Sequence, residues 1–458
     1  MSFSSAKLSF FLLAGAVVGL PHSPLGAQES KKVYGPPAPA RPGAEQAVEA
    51  LPPPPNIPAA LQDAALATAW THPSVRAAEG QIRAAGFDVR AAKWLRFPSV
   101  TVEALAISQG NTASAAQSGA VLNVVVEQPI WTGGRIGSAI DRAKAQELTQ
   151  KSGLDEVVRD LLLRTLQAYY DVAAQARRIE VLTDALSQHR ALIATIENRV
   201  EQQISASSDL DLAKSRSAQV EQQLAVAEAQ RQASLNSLVE LTGTSIPNLG
   251  NVPTYDPAVH HPVREGAVEQ ALACDPRTAR LTGQSLVAKA EQRAAKAALM
   301  PQLVGQVSRN EILGERVGLA LRAQTGNGLS QAVAAQGARA RAEATEASIA
   351  TAQRDLREAL RSDFAINEAA QARIASSGAA VKNSRIVIES YKRQFIAGRR
   401  TWLDVMNALQ ETTSNRLAVI DSENSAQLTA ARIALRTCRW EPRPRFQAEL
   451  KELSDVRE

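Results

Sequence analysis

The chain has 458 residues, of which 45% are hydrophobic and only 4% are aromatic. This composition suits long helices packed through small side chains better than it suits a thick aromatic core. The 51 basic and 46 acidic residues give a formal net charge of +5 and are spread along the whole chain. A nucleic-acid-binding protein usually gathers its basic residues into a patch or stripe, so the composition argues against nucleic acid as a partner.

The amino-terminal residues predict export from the cytoplasm. Lys7 precedes an apolar run at 8–20, and a short stretch then ends in the small residues Gly26 and Ala27. This pattern is typical of a secretory signal peptide, which we place at 1–27. A membrane anchor is the alternative, but roughly 13 apolar residues are fewer than the roughly 20 that a spanning helix needs. No later stretch of the sequence approaches the apolar length of a transmembrane helix. Any membrane crossing is therefore expected to use β-strands.

Two segments are expected to lie outside the folded part. Residues 28–59 include four consecutive prolines at 52–55 and predict an extended periplasmic leader. Residues 441–458 are charged and predict a loosely held tail.

The sequence between these segments contains an internal repeat. The tetrapeptide Arg-Ala-Ala-Lys at 90–93 recurs at 293–296. Further pairs in the same order are Pro73 with Pro276, Pro98 with Pro301, Gly133 with Gly326, and Leu210-Asp211 with Leu403-Asp404. The recurrence predicts two tandem copies of one unit, at 60–243 and 274–440, joined by a linker at 244–273.

Each copy predicts a short helix followed by two strands, at about 99–130 and 302–325. Leu122, Val124 and Val126 alternate with Asn123, Val125 and Glu127. A period of two with one apolar face, over about ten residues, is typical of a membrane β-strand. A soluble hairpin lying on a core is the alternative.

Long helices follow the strands in each copy. Apolar residues spaced by seven, a coiled-coil pattern, are Val172, Ile179, Leu186, Ile193 and Val200. The helices break at 205–208 and at 397–398, after which the chain returns. Each unit is thus predicted to be a rod with a β-hairpin at one end and a helical turn at the other. Four strands from one chain cannot close, and unpaired edges in lipid cost several kcal/mol each, so three chains forming twelve strands are expected.

This order of elements, together with the runs at 128–134, 391–395, 398–401 and 403–405, resembles the TolC family of outer-membrane efflux and secretion proteins. The resemblance covers about 60–440. It implies a mainly α-helical homotrimer with a twelve-stranded β-barrel in the outer membrane of a Gram-negative bacterium and an α-helical periplasmic tunnel. Its implied partners are outer-membrane lipid, a periplasmic adaptor (membrane fusion) protein and an inner-membrane ABC or proton-driven pump. The run at 398–404 looks most like the branch that serves type I secretion of adhesins.

The resemblance also implies candidate sites. The turns at the rod's far end, which would meet the adaptor, contain Gln203, Ser205, Ser207, Ser208, Gly398, Arg399, Arg400 and Thr401. Ordinary helix-turn chemistry is the alternative; it accounts for Gly398 and Ser208 but not for the adjacent arginines. Glu389 is a candidate for the tunnel constriction, with a solvated helix face as the alternative. The first turn departs from the family pattern because it lacks the glycine that Gly398 supplies in the second.

Cys274 and Cys438 are the only cysteines in a chain bound for an oxidising compartment, and both are expected near the middle of the rod, so a disulfide is predicted. The histidines show no metal-ligand spacing, and no phosphate-binding or dinucleotide-binding glycine motif is present. No enzymatic activity, cofactor or metal is therefore expected. A periplasmic coiled-coil adaptor or scaffold is the alternative function, although it would carry one helical hairpin flanked by β-domains.

Overall fold

The structure, a computed structural model, describes residues 53–107, 119–244, 255–310, 314–323 and 328–446. The predicted signal peptide, most of the leader, part of the linker, residues 324–327 and the last twelve residues of the tail lie outside these ranges.

The described residues contain one order of elements twice: a 22-residue helix, two strands, a 67-residue helix and a helix of 36 or 35 residues. The first set comprises α2 (Pro73–Trp94), β1 (Ser99–Ile107), β2 (Gly119–Trp131), α3 (Arg135–Glu201) and α4 (Ser207–Thr242). The second comprises α7 (Pro276–Ala297), β3 (Gln302–Asn310), β4 (Gly314–Arg322), α8 (Ser330–Ile396) and α9 (Trp402–Arg436). Helix α1 (Ala59–Thr71) precedes the first set, and α5 (Pro257–His260) and α6 (Ala267–Cys274) lie between the sets.

Helices α2 and α7 begin alike because their first turns have the same chemistry. Pro73 and Pro276 occupy the first turn, where a missing N–H is tolerated. The His72 ring accepts a hydrogen bond from the Ser74 amide at 3.2 Å, and the Asp275 carboxylate accepts one from the Thr278 amide at 2.8 Å. Both helices end a few residues before the next proline and lead directly into a strand.

The long helices lie side by side in a layer organised by α3, which packs against α2, α4, α7 and α9. The contacts give the order α2, α3, α7, α8 in the half nearer the strands and α4, α3, α9, α8 in the half nearer the turns. Many of the buried residues between these helices are small, including Ala213, Ala227, Ala338 and Ala342. Within the described residues the layer is open, with α2 and α4 along one edge and α8 along the other.

Helices α3 and α7 approach each other closely where α7 crosses α3 at Gly283. A Cβ atom added to Gly283 would lie 2.6 Å from the Thr149 Oγ1 and 3.1 Å from the Thr149 Cα. The crowding atoms include the Thr149 backbone, which cannot rotate away as a side chain can. Glycine therefore lets α7 lie this close to α3, and a larger residue would push the two helices apart.

The four strands form one antiparallel sheet in the order β1-β2-β3-β4. The register places Val126 opposite both Val100 and Val307, and Val307 opposite Val317. Because directly opposed residues share a face, these valines lie on one side of the sheet, with Leu319 and Leu321 beside them. The other side is more polar and includes the Glu127–Arg322 ion pair at 2.6 Å. No helix in the described ranges is long and apolar enough to cross a membrane.

The two turns at the far end of the long helices have the same backbone geometry. In the first, Gln203 adopts a left-handed conformation with φ of 61°, and the Ile204 amide donates to the Arg199 carbonyl at 2.8 Å. In the second, Gly398 has φ of 71°, and the Arg399 amide donates to the Gln394 carbonyl at 2.9 Å. Both close as the helix-ending motif that usually carries glycine at this position, so Gln203 occupies the glycine position of the first turn.

Serines 207 and 208 do not belong to the first turn, contrary to the sequence prediction. They are the first two residues of α4. The turn is shorter because α4 resumes immediately after Ala206, whose extended backbone precedes the first helical residue.

The variant Gly283→Ala is expected to lower the free energy of unfolding by about 1–3 kcal/mol, because the added methyl group overpacks the crossing. The matched control is Gly378→Ala in α8, where an added Cβ meets nothing within 4 Å. This change should stabilise the protein by about 0.5–1 kcal/mol through helix propensity. Thermal unfolding followed by circular dichroism measures both, and equal midpoints for the two variants would contradict the close crossing.

The variant Gln203→Gly is expected to stabilise the first turn by about 0.5–1 kcal/mol, because glycine adopts a positive φ without a Cβ penalty. The reciprocal change Gly398→Gln should destabilise the second turn by a similar amount. The same unfolding measurement applies, and a lower midpoint for Gln203→Gly would mean that Gln203 does not hold this conformation.

Candidate functional site

The structure brings the two predicted docking turns together at one end of the helical layer. A shallow groove of about 460 Å³ lies between them. It is lined by Arg199, Ser205, Asp209 and Leu212 from the first turn region and by Phe395, Arg400, Thr401, Trp402 and Leu403 from the second. Gln203 and Gly398 lie outside this lining, at the exposed extremity of each turn. Of the eight predicted docking residues, Ser205, Arg400 and Thr401 line this groove. We call the groove together with the two turns the tip surface.

A buried apolar cluster supports the tip surface from beneath. Phe395, Trp402, Val405 and Met406 pack together with residues of α3 and α4. The Arg199 guanidinium lies 5.2 Å from the centre of the Phe395 ring and links the first hairpin to the second. The turns are thus held in place by a packed core close to their ends.

The two adjacent arginines have different environments. The Arg400 guanidinium lies 4.3 Å from the centre of the Tyr391 ring, donates to the Gln394 Oε1 at 3.2 Å and lies 3.7 Å from the Asp404 carboxylate. The exposed Arg399 side chain makes no hydrogen bond or ion pair with the described residues. Packing within the chain therefore accounts for Arg400, and Arg399 is the cation that the turn itself does not explain.

Asp404 and Thr401 cap the amino-terminal end of α9. The Asp404 carboxylate accepts a hydrogen bond from the Thr401 hydroxyl at 2.8 Å, and the Thr401 oxygen accepts one from the Asp404 amide at 3.2 Å. The Thr401 hydrogen bond, with a contribution from nearby Arg400, holds the pKa of Asp404 below its usual value. This reciprocal cap gives α9 a defined first turn, so Thr401 has a structural role.

The tip surface also has exposed apolar side chains. Ile396 is 81% exposed at the end of α8, Ile204 is 59% exposed in the first turn, and Leu403 is exposed on the first turn of α9. A surface that has both an exposed cation and exposed aliphatic side chains is suited to a partner that presents carboxylates and apolar groups.

Glu389 lies on α8, about two turns before its end. Its side chain is 61% exposed and forms an ion pair with Lys392 at 3.5 Å. Lys392 also donates to the Gln188 Oε1 on α3 at 3.1 Å. Glu389 thus belongs to a polar link between α8 and α3, and its role in a tunnel constriction stays a prediction.

Cys274 and Cys438 are joined in a disulfide that ties the end of α6 to the end of α9. Arg159 on α3 braces this bond: its guanidinium donates to the Asp275 carboxylate at 2.8 Å and to the Cys274 carbonyl at 3.2 Å. Arg445 donates to the same carbonyl at 2.6 Å.

The prediction of a loosely held tail from residue 441 is wrong for residues 441–446. Trp440, just before them, is buried, and its indole N–H donates to the Gln62 Oε1 at 2.6 Å. Arg443 donates to the Ala69 carbonyl at 3.0 Å and to Glu79 at 2.9 Å. The Phe446 amide donates to the Asp155 carboxylate, and burial raises the pKa of Asp155 to about 7. The charge and the prolines of this segment suggested a solvent-exposed tail. The sequence could not predict these contacts, because the acceptors Glu79 and Asp155 are far from residues 443 and 446 along the chain.

Sequence reasoning did not single out Arg159, Asp155 or Trp440. Of these, Trp440 had a local signal, since it is a large aromatic side chain two residues from a cysteine in an aromatic-poor chain. Within the described part of the chain, no group of three or more histidine, cysteine or acidic side chains is placed to hold a metal ion.

Comparisons with known proteins agree with this geometry. Residues 67–244 match the family model described as Outer membrane efflux protein. No curated protein matches the chain significantly.

Several solved structures have the same fold. The outer-membrane channel OprN has a TM-score of 0.74 at 17% identity, with coverage of 82% of this chain and 89% of that chain. A membrane protein from Pseudomonas aeruginosa also has a TM-score of 0.74, at 19% identity, with coverage of 83% and 90%. The outer membrane protein VceC from Vibrio cholerae has a TM-score of 0.70 at 16% identity, with coverage of 82% and 96%.

Residues 67–244 are thus similar to the outer membrane efflux protein family, and the described part of the chain has the fold of solved outer-membrane channels.

Proposed function

We propose that three copies of this chain form the outer-membrane channel of a tripartite export system, with a twelve-stranded barrel in the membrane and a helical tunnel in the periplasm. The observation that carries this proposal is the four-stranded sheet. Strands β1 and β4 each have one neighbour among the described residues, so each leaves a row of backbone groups to be paired. In lipid these groups need partners from other chains.

The side chains of the sheet support its placement in a bilayer. On one face Val317, Leu319 and Leu321 are 81%, 71% and 70% exposed. Exposed aliphatic residues in such a row are unfavourable in water and favourable against lipid. The strands are 9 to 13 residues long, which suits the roughly 9–11 residues that a tilted strand needs to cross.

The helices support a periplasmic tunnel. A helix of 67 residues spans about 100 Å, and both 67-residue helices adjoin the sheet at one end. Because the layer is open along both edges, further copies can extend it until it closes on itself. Closure of the sheet and of the layer would then require the same number of chains.

The proposal is tested by membrane fractionation followed by gel electrophoresis with and without heating. We expect the protein in the outer-membrane fraction, migrating as an oligomer until it is heated. Recovery as a soluble periplasmic monomer would contradict the channel and favour the coiled-coil scaffold.

We further propose that the tip surface docks a periplasmic adaptor protein, which connects the channel to an inner-membrane ABC or proton-driven pump. Arg399 supplies an available cation, and Ile204, Ile396 and Leu403 supply exposed apolar area on the same surface. The run at 398–404 favours type I secretion over small-molecule efflux. Glu389, close to the same end, is the proposed constriction residue.

The variant Arg399→Glu should reduce export sharply while leaving oligomer formation intact. The side chain makes no hydrogen bond or ion pair within the described chain, and the substitution reverses the charge that the partner meets. Export is measured as secreted protein per amount of channel in the outer membrane. The matched control is Arg231→Glu on α4, which is also exposed and without an ion pair among the described residues. Equal export by both variants would contradict docking through Arg399.

The variant Arg400→Glu separates docking from turn stability. Loss of the contacts with Tyr391 and Asp404 should lower the thermal unfolding midpoint as well as export. Arg399→Glu should lower export alone.

A further inference from the structure

We propose that the outward face of α2 is an interface for α8 of a second copy of this chain, with Trp94, Phe87 and Arg83 lying against the partner's Val333, Ala340 and Glu343. The inference rests on the proposed oligomer and goes beyond it by naming the contacting helices and their register.

The faces follow from the helix period of about 100° per residue. On α2, Val75, Ala85 and Val89 are buried, and Phe87 and Trp94 lie on the opposite side, 60% and 66% exposed. On α8, Ala338, Ala342 and Ala352 are buried, and Val333, Ala340 and Glu343 lie opposite, all exposed. These faces point away from the chain along the two open edges of the layer, where the next copy of the layer would begin.

The residues match in height as well as in direction. Helix α2 ends at the sheet and α8 begins at it, so the two run antiparallel from the same end. Going away from the sheet, Trp94, Phe87 and Arg83 are separated by seven and four residues. Val333, Ala340 and Glu343 are separated by seven and three residues. At about 1.5 Å per residue, each member of one set lies level with its counterpart to within a few ångströms.

The chemistry of the two faces is complementary. The large ring of Phe87 meets the small Ala340, and Trp94 meets the aliphatic Val333, so bulk on one helix is matched by space on the other. Arg83 makes no ion pair with the described residues. Glu343 accepts a hydrogen bond from Arg339 at 2.8 Å through its Oε1, and its Oε2 has no hydrogen bond within the described chain. A cation therefore faces an available carboxylate oxygen.

Comparison with the second repeat explains why α2 has large aromatic side chains on its exposed face. Phe87 aligns with Ala290, which is fully buried, because α7 lies between α3 and α8 inside the layer. An aromatic side chain at an inner position would separate the helices. At the edge, the same position is free to carry a large side chain that fills the gap to another copy.

Thiol crosslinking tests the register. The double variant Phe87→Cys with Ala340→Cys is treated with a short thiol-to-thiol reagent in the outer membrane and boiled in denaturant; the native cysteines are in a disulfide and do not react. We expect loss of the monomer band into dimers and trimers, whereas each single variant stays monomeric. The control pairs Phe87→Cys with Glu358→Cys, on the same face of α8 but about 27 Å farther from the sheet, and should also stay monomeric.

The possible outcomes separate this inference from the proposed function. An oligomer on unheated gels with no crosslink in the double variant would overturn the interface and leave the channel standing, with lipid or another protein as the cover of α2. Absence of any oligomer would overturn both. For the charged pair, Arg83→Glu should lower the temperature at which the oligomer dissociates, and adding Glu343→Arg should restore it. An unchanged temperature in Arg83→Glu would remove this pair from the interface.

Discussion

Contact between α3 and the helices on both its sides is the interaction on which the rest of the structure depends. Along its 67 residues α3 packs against α2, α4, α7 and α9, and the small side chains at these crossings set the distance between helices. At Gly283 the approach is so close that a methyl group would collide with the Thr149 hydroxyl and crowd the Thr149 backbone. Close packing keeps the layer thin and regular, and a thin layer can curve around a lumen. A core of large aromatic side chains would separate the helices and thicken the wall.

The middle of the rod is where parts that are distant in sequence are held together. The disulfide joins the two ends of the second repeat, and Arg159 connects it to α3 of the first. The segment from Trp440 to Phe446 then reaches back to α1, α2 and α3 through Gln62, Glu79 and Asp155. Several of these groups are charged and partly buried, which is tolerated because each faces an opposite charge or a backbone partner. The result is a fixed centre between the sheet at one end and the two turns at the other.

The parts of the chain on either side of this centre leave groups unsatisfied among the described residues. The sheet leaves backbone hydrogen-bonding groups at its two edges and an exposed apolar face; the helical layer leaves side-chain surfaces on α2 and α8. The tip surface leaves an exposed cation and exposed aliphatic side chains. In the proposed assembly, further copies of the chain and lipid satisfy the first two, and an adaptor protein satisfies the third. In that assembly one chain carries the surfaces for self-assembly along its length and for docking at its end.

The sequence by itself determined the features that depend on local pattern. Period-two alternation marked the strands, seven-residue spacing marked the long helices, and the recurrence of 90–93 at 293–296 marked the repeated order of elements. Only the tertiary structure decided which side chains at a given turn form contacts within the chain. Those contacts depend on neighbouring side chains that sequence spacing does not show. Arg399 and Arg400 are adjacent and chemically identical, yet Tyr391 and Asp404 engage one and leave the other in solvent. Likewise Gln203 takes a glycine conformation and residues 441–446 are anchored, since the hydrogen bonds that close the turn and the carboxylates that hold the tail become visible only when the helices are assembled.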